Sequence, residues 1–344
     1  MKTWDKVKIT SDSGEIKEAI APVIISASRS TDIPKYFTEW FINRLEKGYL
    51  VWVNPFNRKE QYVAFANCRL VVFWTKDPSP IIKVLDTLDS KKINYYFQYT
   101  LNNYEAEGLE PNVPPLKERI ATFKKLSEKI GRMKIIWRFD PLILSDQLTI
   151  NILIDRISKI GEELKDYTDK LVISFADIDV YKKVRNNLKQ QTNNYREFTK
   201  NEVIDFSEKL ARLNNVLGLK ITTCAERYDL EEFGIKKNRC IDDELIVQAF
   251  KSDSKLMTFI GHDLQMSFSD KMGDYQPNVR LKDKGQRKEC GCIMSKDIGM
   301  YNTCYHLCAY CYANYSESSV KRNFDSHSPS NHSIVNLVNA HSGD

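Results

Sequence analysis

Short apolar runs alternate with amphipathic stretches along most of this 344-residue chain, and this alternation limits the fold more than any other feature of the sequence. The runs are rich in Val, Ile, Phe and Trp, and the stretches between them are long enough to form helices. The predicted strands are Val23–Ala27, Leu50–Val53, Leu70–Trp74, Tyr95–Tyr99, Lys134–Arg138, Leu171–Phe175 and Leu219–Thr223. Because several of these runs are apolar without alternation, we expect a parallel sheet that is covered on both faces.

This repeating pattern predicts an α/β fold, with the strands arranged as a (β/α) TIM-like barrel, complete or partial. A doubly wound open sheet is the alternative, but no glycine-rich dinucleotide turn follows any predicted strand. Four parts of the chain are expected: a hairpin or extension over 1–21, the barrel over 22–263, a loop and cysteine-rich segment over 264–315, and a flexible tail over 316–344. The histidines of the tail (His327, His332 and His341) are expected to be solvated.

Polar and charged side chains recur just after the predicted strands. The candidates at these positions are Arg29, Asp32, Lys76, Asp77, Arg138, Asp140, Asp177, Cys224 and Glu226. Barrel enzymes build their sites at the carboxyl ends of the strands, so these residues predict a polar pocket that can bind anions. For Asp32, Asp77 and Asp177, turn formation and helix capping are an equally good explanation.

Charge and hydropathy exclude few partners. Lys and Arg outnumber Asp and Glu by 51 to 46, and this mildly basic balance permits nucleic acid or an anionic cofactor without requiring either. No apolar window is long enough for a membrane span, and the first residues lack the apolar core of a signal peptide. We therefore expect a cytoplasmic protein that does not contact membranes.

Five of the eight cysteines lie between positions 290 and 311, which favours a metal site over structural disulfides. Cys304, Cys308 and Cys311 have the spacing C-x3-C-x2-C, and the aromatic residue Tyr310 precedes the third. Three thiolates at this spacing can hold three irons of a [4Fe–4S] cluster and leave the fourth iron open to a chelating ligand.

Two other interpretations of the three cysteines remain open. They can belong to a structural zinc site or a fully ligated iron–sulfur site that Cys290 or Cys292 completes, or they can be plain buried thiols. Cys290 and Cys292, together with Cys224 or Cys240, are candidates for a second metal site. At a strand end, Cys224 could instead donate a hydrogen atom to a substrate radical.

The segment from Cys290 to Asn314 resembles the C-terminal signature of a bacterial family described only as a domain of unknown function. The segments Arg29 to Pro34, Phe73 to Pro78 and Arg138 to Pro141 are also similar to that family, so the resemblance covers most of residues 22–315. The ending Cys-Tyr-Ala-Asn at 311–314 further resembles the spore photoproduct lyase branch of the radical S-adenosylmethionine (SAM) superfamily.

The resemblance implies a partial barrel, a [4Fe–4S] cluster on Cys304, Cys308 and Cys311, and SAM that is cleaved reductively to a radical. It implies a lyase or oxidoreductase that uses an electron donor such as flavodoxin or ferredoxin. Tyr310 would pack against the cluster or adenine, while Arg29, Lys76 or Arg138 would bind a carboxylate or phosphate. Asp32, Asp140 or Glu226 would bind ribose hydroxyls or an ammonium group, and Cys224, Glu226 and Asp140 are the candidate catalytic residues. Here the motif follows the last strand, not the first, so the barrel is permuted or the terminal segment folds back over its mouth.

Three functions are therefore compared. The first is a radical SAM-like enzyme that acts on an unknown small molecule, nucleotide or nucleic acid. The second is a non-catalytic nucleic-acid-binding protein that zinc or a closed iron–sulfur site stabilises. A metal hydrolase is disfavoured, because only His262 and His306 lie outside the tail.

Overall fold

The computed structural model describes residues 4–191, 193–262 and 281–336, which form a mixed α/β fold as predicted. Its strands are β1 (Asp5–Thr10), β2 (Ile16–Ala21), β3 (Ile24–Ala27), β4 (Tyr49–Val53), β5 (Glu60–Ala64), β6 (Leu70–Thr75), β7 (Asn94–Thr100), β8 (Ile135–Leu142), β9 (Lys170–Phe175), β10 (Lys220–Thr223), β11 (Lys236–Lys237) and β12 (Lys296–Asp297). Its helices are α1 (Ile33–Tyr36), α2 (Thr38–Lys47), α3 (Ser79–Ile82), α4 (Leu85–Ser90), α5 (Leu116–Ile130), α6 (Ile150–Leu164), α7 (Lys182–Lys189), α8 (Lys200–Leu217), α9 (Asp243–Phe250), α10 (Ser254–Ile260) and α11 (Glu317–Asp325).

Eight strands form one parallel sheet in the order β11-β10-β9-β8-β7-β6-β3-β12. From β3 to β11 the strands of this sheet lie side by side in chain order. Strand β12, the last in the chain, lies on the other side of β3, an arrangement that a barrel and a doubly wound sheet both allow. The edge strands β11 and β12 do not pair with each other within the described residues, so a parallel sheet is established but a closed barrel is not.

Alternate residues of each strand face opposite sides of the sheet. Both faces are buried under other parts of the chain. On the first face, Phe97 and Trp137 pack among the apolar residues of α2, α5, α6 and α8. On the second face, Tyr96 and Ile136 pack against α9, α10 and residues 281–293. This burial explains the nearly continuous apolar runs from which the strands were predicted.

A second sheet of four strands has the order β1-β2-β5-β4. Strands β1 and β2 form the predicted N-terminal hairpin, with Asp5 opposite Ala21. The predicted strand Leu50–Val53 is part of β4, which pairs antiparallel with β5 through a short connection and does not join the parallel sheet. The prediction that this strand belongs to the barrel was wrong. The apolar content of a segment indicates a strand, but it does not indicate which strands pair with it.

Several of the described helices begin or end at capping signals in the sequence. Thr199 and Glu202 form a reciprocal capping box at the start of α8. Gly48 follows α2 with a left-handed φ of 82°, a conformation that glycine adopts at little cost. None of the helices in the described ranges is long and apolar enough to span a bilayer.

Up to residue 336, the segment after residue 316 packs on the rest of the chain and is not the flexible tail that was predicted. It forms α11 and then packs on α2 and β4, where Val51 N–H donates to the His332 carbonyl at 2.8 Å. Ile334 and Val335 are buried, and His327 Nδ1 lies 2.7 Å from the Ile334 carbonyl oxygen. A few apolar residues within a polar composition therefore anchor this segment. His341 and most of the predicted loop Gln265–Lys288 lie outside the described residues.

Candidate functional site

The cysteine-rich segment folds back to the edge of the parallel sheet beside β3. There β12 pairs with β3 in parallel, and Ser26 Oγ donates to Asp297 Oδ2 at 2.6 Å. Beyond β12, the hydroxyls of Thr31 and Thr303 are hydrogen-bonded at 2.7 Å. These contacts hold residues 298–314 at the carboxyl end of the sheet, where the polar residues that follow the strands are found.

Cys304, Cys308 and Cys311 lie on one compact loop. Leu307 has a left-handed φ of 54°, which turns the backbone between the first two cysteines. The Ala309 N–H donates to the carbonyl of Leu109, in the segment after β7, at 2.9 Å. This hydrogen bond fixes the loop against that segment. The three thiols are thus presented together by a backbone that neighbouring elements support.

The surroundings of the three thiols are buried and contain charged groups. Burial raises the pKa of Cys304 well above its ordinary value, and Asp32, Cys311 and Cys308 raise it further. Burial also raises the pKa of Cys308, to about 12, although the nearby Lys76 acts in the opposite direction. The pKa of Cys311 is likewise raised by burial. Each of the three thiols is therefore harder to ionise than an exposed cysteine.

His306, inside the same loop, ties it to the start of α1. Its Nε2 lies 2.8 Å from Asp32 Oδ2, and its Nδ1 lies 3.1 Å from the Tyr36 hydroxyl. Asp32 also caps α1 by accepting from Lys35 N–H at 3.0 Å, and it accepts from Lys76 N–H at 2.7 Å. Both carboxylate oxygens of Asp32 therefore position protein groups, in agreement with the capping interpretation.

Lys76 lies beside the loop within a buried polar network. Its Nζ is 2.7 Å from Glu110 Oε1 and 2.9 Å from the Tyr310 hydroxyl. The Tyr310 hydroxyl donates to Glu110, and Asn102 Nδ2 donates to both of these groups at 3.1 and 3.2 Å. Burial would raise the pKa of Glu110, but Lys76 and Arg119 outweigh burial and hold it at about 2. The network fixes a cation next to Cys308.

The other predicted metal-binding cysteines form a second group on the second face of the sheet. The Sγ atoms of Cys224 and Cys240 are 3.5 Å apart, and Cys292 Sγ accepts the Cys240 N–H at 3.2 Å. Thiol hydrogen bonds from Cys224 and Cys292 lower the pKa of Cys240 well below its ordinary value. The thiol of Cys292 likewise lowers the pKa of Cys290, to about 7.

Two arginines face this second group of thiols. Arg138 Nη1 is 3.2 Å from Cys240 Sγ, and its Nη2 donates to Asp140. Arg29 is 3.7 Å from Asp297 and stacks 4.9 Å above the Trp74 ring. Burial would lower the pKa of Arg29, but Cys292, Asp297 and Cys240 raise it. The predicted cofactor-binding residues thus fall into two sets. Tyr310 belongs to the loop, and Lys76 and Asp32 lie beside it. Arg138 contacts the second group of thiols, and Arg29 lies within electrostatic range of it.

Glu226 lies at the ends of β9 and β10. Its carboxylate accepts from two backbone N–H groups at 2.9 and 3.4 Å, and burial raises its pKa. Asp140, in contrast, is directly beside the second group of thiols, because it pairs with Arg138 and accepts from Ser174.

Comparisons with known proteins identify the family. A sequence profile for a domain of unknown function, DUF1848, matches residues 24–313. The chain belongs to the DUF1848 family. This confirms the predicted resemblance to a family of unknown function, and the matched range agrees with the range of the resemblance. No curated protein matches the DUF1848 chain.

Among solved structures, the DUF1848 chain matches a proposed alpha-L-fucosidase from Bacteroides thetaiotaomicron VPI-5482. The two chains are 13% identical, and the match covers 75% of this chain and 86% of the other with a TM-score of 0.23. Such a low score supports no argument about fold or function.

Sequence reasoning missed several residues of the DUF1848 site. Glu110 and Asn102 lie in the segment after β7, from which no candidate was predicted. Asp297 aligns Arg29, by accepting its backbone N–H at 3.0 Å. Lys76 was predicted because polar residues that follow strands build the sites of barrel enzymes. The same rule, applied to the whole segment after β7, indicates Glu110 and Asn102.

As the side chains stand, no three His, Cys, Asp or Glu groups within residues 4–191, 193–262 and 281–336 are arranged to hold one metal ion. It gives no support to a single-ion site at Cys304, Cys308 and Cys311, so the fit to a cluster depends on the chemistry of the three thiols. A cubane cluster binds each thiolate through a different iron, so its ligands stand farther apart than the ligands of one ion. Their number, their common loop and the cation at Lys76 suit such a cluster.

Replacing Gly299 with alanine is expected to destabilise the protein by about 1 to 3 kcal/mol, because the new Cβ overlaps neighbouring atoms. That Cβ would lie inside van der Waals distance of Ser28 Oγ and 2.8 Å from Ser30 Oγ. Gly285→Ala is the matched control, since its Cβ would meet only Asp283 Oδ1 at 3.3 Å. Urea unfolding curves measure both variants, and equal midpoints would show that Gly299 is not required for docking the segment.

Proposed function

We propose that the protein is a radical SAM-like iron–sulfur enzyme whose [4Fe–4S] cluster binds to Cys304, Cys308 and Cys311. The observation that supports this best is the position of the three thiols. They share one loop, and that loop is docked at the carboxyl end of a parallel sheet beside Lys76 and Tyr310. When bound, such a cluster supplies the electron for reductive cleavage of SAM, and the protein supplies binding and orientation.

The charges around the loop agree with this proposal. Thiolate ligands and sulfides give a cluster net negative charge, which the buried ammonium group of Lys76 would offset. Glu110 and Tyr310 hold Lys76 in place at 2.7 and 2.9 Å. Among the predicted anion-binding residues, Lys76 is thus the one best placed for the carboxylate of SAM. Tyr310 would contact the cluster or the adenine.

A partial barrel is the finer fold that we propose for the parallel sheet. Gln98 and Tyr96 of the central strand β7 donate to the Cys240 carbonyl at 2.9 and 2.7 Å, although Cys240 follows the edge strand β11. Cys240 in turn contacts Cys292, which precedes the opposite edge strand β12. Contacts from both edges to the centre of the second face are expected of a curled sheet that partly encloses this face.

The enzyme class that we propose is a lyase or oxidoreductase with a small molecule, a nucleotide or nucleic acid as substrate. A protein electron donor such as flavodoxin or ferredoxin would reduce it. All eight cysteines are free thiols, which suits a reducing compartment such as the cytoplasm.

Anaerobic reconstitution tests the proposal. The purified full chain, supplied with iron and sulfide and reduced by dithionite, is expected to convert SAM to 5′-deoxyadenosine and methionine. Chromatography measures both products, and the controls omit dithionite or expose the protein to air. A brown protein that leaves SAM intact, or a colourless protein that binds only zinc, would contradict the proposal. The second result would favour the metal-stabilised binding protein instead.

A further inference from the structure

We infer that Cys224, Cys240, Cys290 and Cys292 form a second metal centre, a mononuclear zinc site with four thiolate ligands. It is separate from the loop of Cys304, Cys308 and Cys311 and does not depend on the function proposed for that loop. Zinc with four cysteine ligands is typical of closed, structural sites that lack an open coordination position.

The four thiols come from three separate segments and contact one another in a series. Cys224 follows β10, Cys240 follows β11, and Cys290 and Cys292 precede β12. Cys240 contacts Cys224 at 3.5 Å and also interacts with Cys292, while Cys292 interacts with Cys290 as well. Cys240, Cys290 and Cys292 are each at most 9% exposed. Isolated buried thiols have no reason to converge in this way, whereas ligands of one ion must converge.

The groups around these sulfurs are the ones that stabilise thiolates. Cys292 Sγ accepts the backbone N–H groups of Cys240 and Ile241 at 3.2 and 3.4 Å. Cys240 Sγ is 3.3 Å from Asn238 Nδ2 and 3.2 Å from Arg138 Nη1. Hydrogen bonds from outer groups to thiolate sulfur are a general feature of metal–cysteine sites.

Arg29 provides a second, independent observation. Its Nη2 atom is buried and has no hydrogen-bond partner among the described residues. Cys292 and Cys240 lie within electrostatic range of the guanidinium group. A buried donor that lacks a partner is costly, and a thiolate centre at this place would provide the missing hydrogen-bond acceptor.

The separation of the sulfurs favours one ion over a cluster. In a tetrahedral zinc site with Zn–S bonds of about 2.3 Å, the sulfurs stand about 3.8 Å apart. The 3.5 Å between Cys224 and Cys240 is close to this value and shorter than a cubane requires. As the side chains stand, no three of these thiols are arranged around one ion among the described residues. Binding therefore requires the thiol side chains to rotate.

The site would join the two edges of the parallel sheet. Cys224 and Cys240 belong to the β10–β11 edge, and Cys290 and Cys292 belong to the segment that leads to β12. Zinc bound to all four would fix this segment, and with it the start of the loop that presents Cys304. Structural zinc sites contribute directly to folding free energy.

The test uses the full chain with Cys304→Ser, Cys308→Ser and Cys311→Ser combined, so that iron at the loop cannot interfere. After expression with added zinc and iron, this variant is expected to hold about one zinc per chain, with about four sulfur ligands at about 2.3 Å by X-ray absorption. Adding Cys240→Ser and Cys292→Ser is expected to lower the zinc content at least tenfold, whereas adding Cys68→Ser is expected to leave it unchanged. Cobalt exchanged into the triple variant should show the visible bands of tetrahedral cobalt thiolate, a readout that needs no further variant.

Three results of the metal analysis would overturn the assignment. They are a triple variant without zinc, a zinc ion with two or fewer sulfur ligands, and iron with acid-labile sulfide in place of zinc. A disulfide between Cys224 and Cys240 in the anaerobically purified protein would also overturn it. Failure of the zinc site is distinguishable from failure of the proposed function, because that function is tested by iron at the loop and SAM cleavage in the wild-type chain.

Discussion

Replacing Glu110 with glutamine is expected to lower the free energy of unfolding by about 3 to 5 kcal/mol at pH 7. The reason is that Glu110 compensates two buried cations. Lys76 Nζ lies 2.7 Å from one carboxylate oxygen and Arg119 Nη1 lies 3.7 Å from the other. The side chain of Arg119 is 1% exposed and that of Lys76 is 14% exposed, so neither can recover its hydration when the carboxylate is lost.

The pKa of Glu110 gives the sign of the pH dependence. Burial raises it, but Lys76 and Arg119 together lower it from 4.5 to about 2 in the folded state. The stabilisation is therefore fully present above pH 4.5 and is lost as the pH falls from 4.5 towards 2. The shift itself corresponds to about 3 kcal/mol, which agrees with the expected effect of the substitution.

Urea unfolding of the cluster-free chain at several pH values measures this difference. Glu128→Gln on the exposed side of α5 is the control, and it is expected to change stability by no more than about 0.5 kcal/mol. The difference between wild type and Glu110→Gln should shrink below pH 4.5. A loss of less than about 1 kcal/mol at pH 7, or a difference that is constant with pH, would show that Lys76 and Arg119 do not depend on Glu110.

The strands were predictable from the sequence because buried parallel strands need continuous apolar residues, and β6 and β9 show this pattern in Leu70–Thr75 and Lys170–Phe175. Strand pairing was not predictable. Tyr49–Val53 is as apolar as its neighbours in sequence, yet it pairs antiparallel with β5 because a short connection brings the two strands together. Periodicity reports which side chains are buried, and it does not report which strand lies alongside.

The same distinction applies to the site. The spacing of Cys304, Cys308 and Cys311 placed them on one loop, because short local spacings survive in any fold. The contact between Cys240 and Cys292 depends on chain segments far apart in sequence, so no local pattern could predict it. Lys76 was found because it directly follows a strand, and Glu110 was missed because it lies deeper in the segment after the next strand.

Replacing Cys308 with serine is expected to reduce the iron bound after reconstitution from about four per chain to less than one, and to abolish cleavage of SAM. Cys308 is the central cysteine of the loop; burial raises the pKa of its thiol, and the Lys76 ammonium group acts in the opposite direction. A serine hydroxyl is a hard, weakly acidic ligand that iron–sulfur clusters accept poorly. Two remaining thiolates would leave half of the cluster irons without a protein ligand.

Cys68→Ser is the matched control for this variant, because Cys68 is also a buried thiol and donates only to the Leu70 carbonyl, at 3.7 Å. It is expected to keep the iron, the sulfide and the brown colour of the reconstituted protein. Two measurements distinguish the variants. One is the content of iron and acid-labile sulfide, and the other is the visible charge-transfer absorption from thiolate to iron. If Cys308→Ser kept its iron while Cys240→Ser lost it, the cluster would belong to the second group of thiols. The roles argued for the two groups would then have to be exchanged.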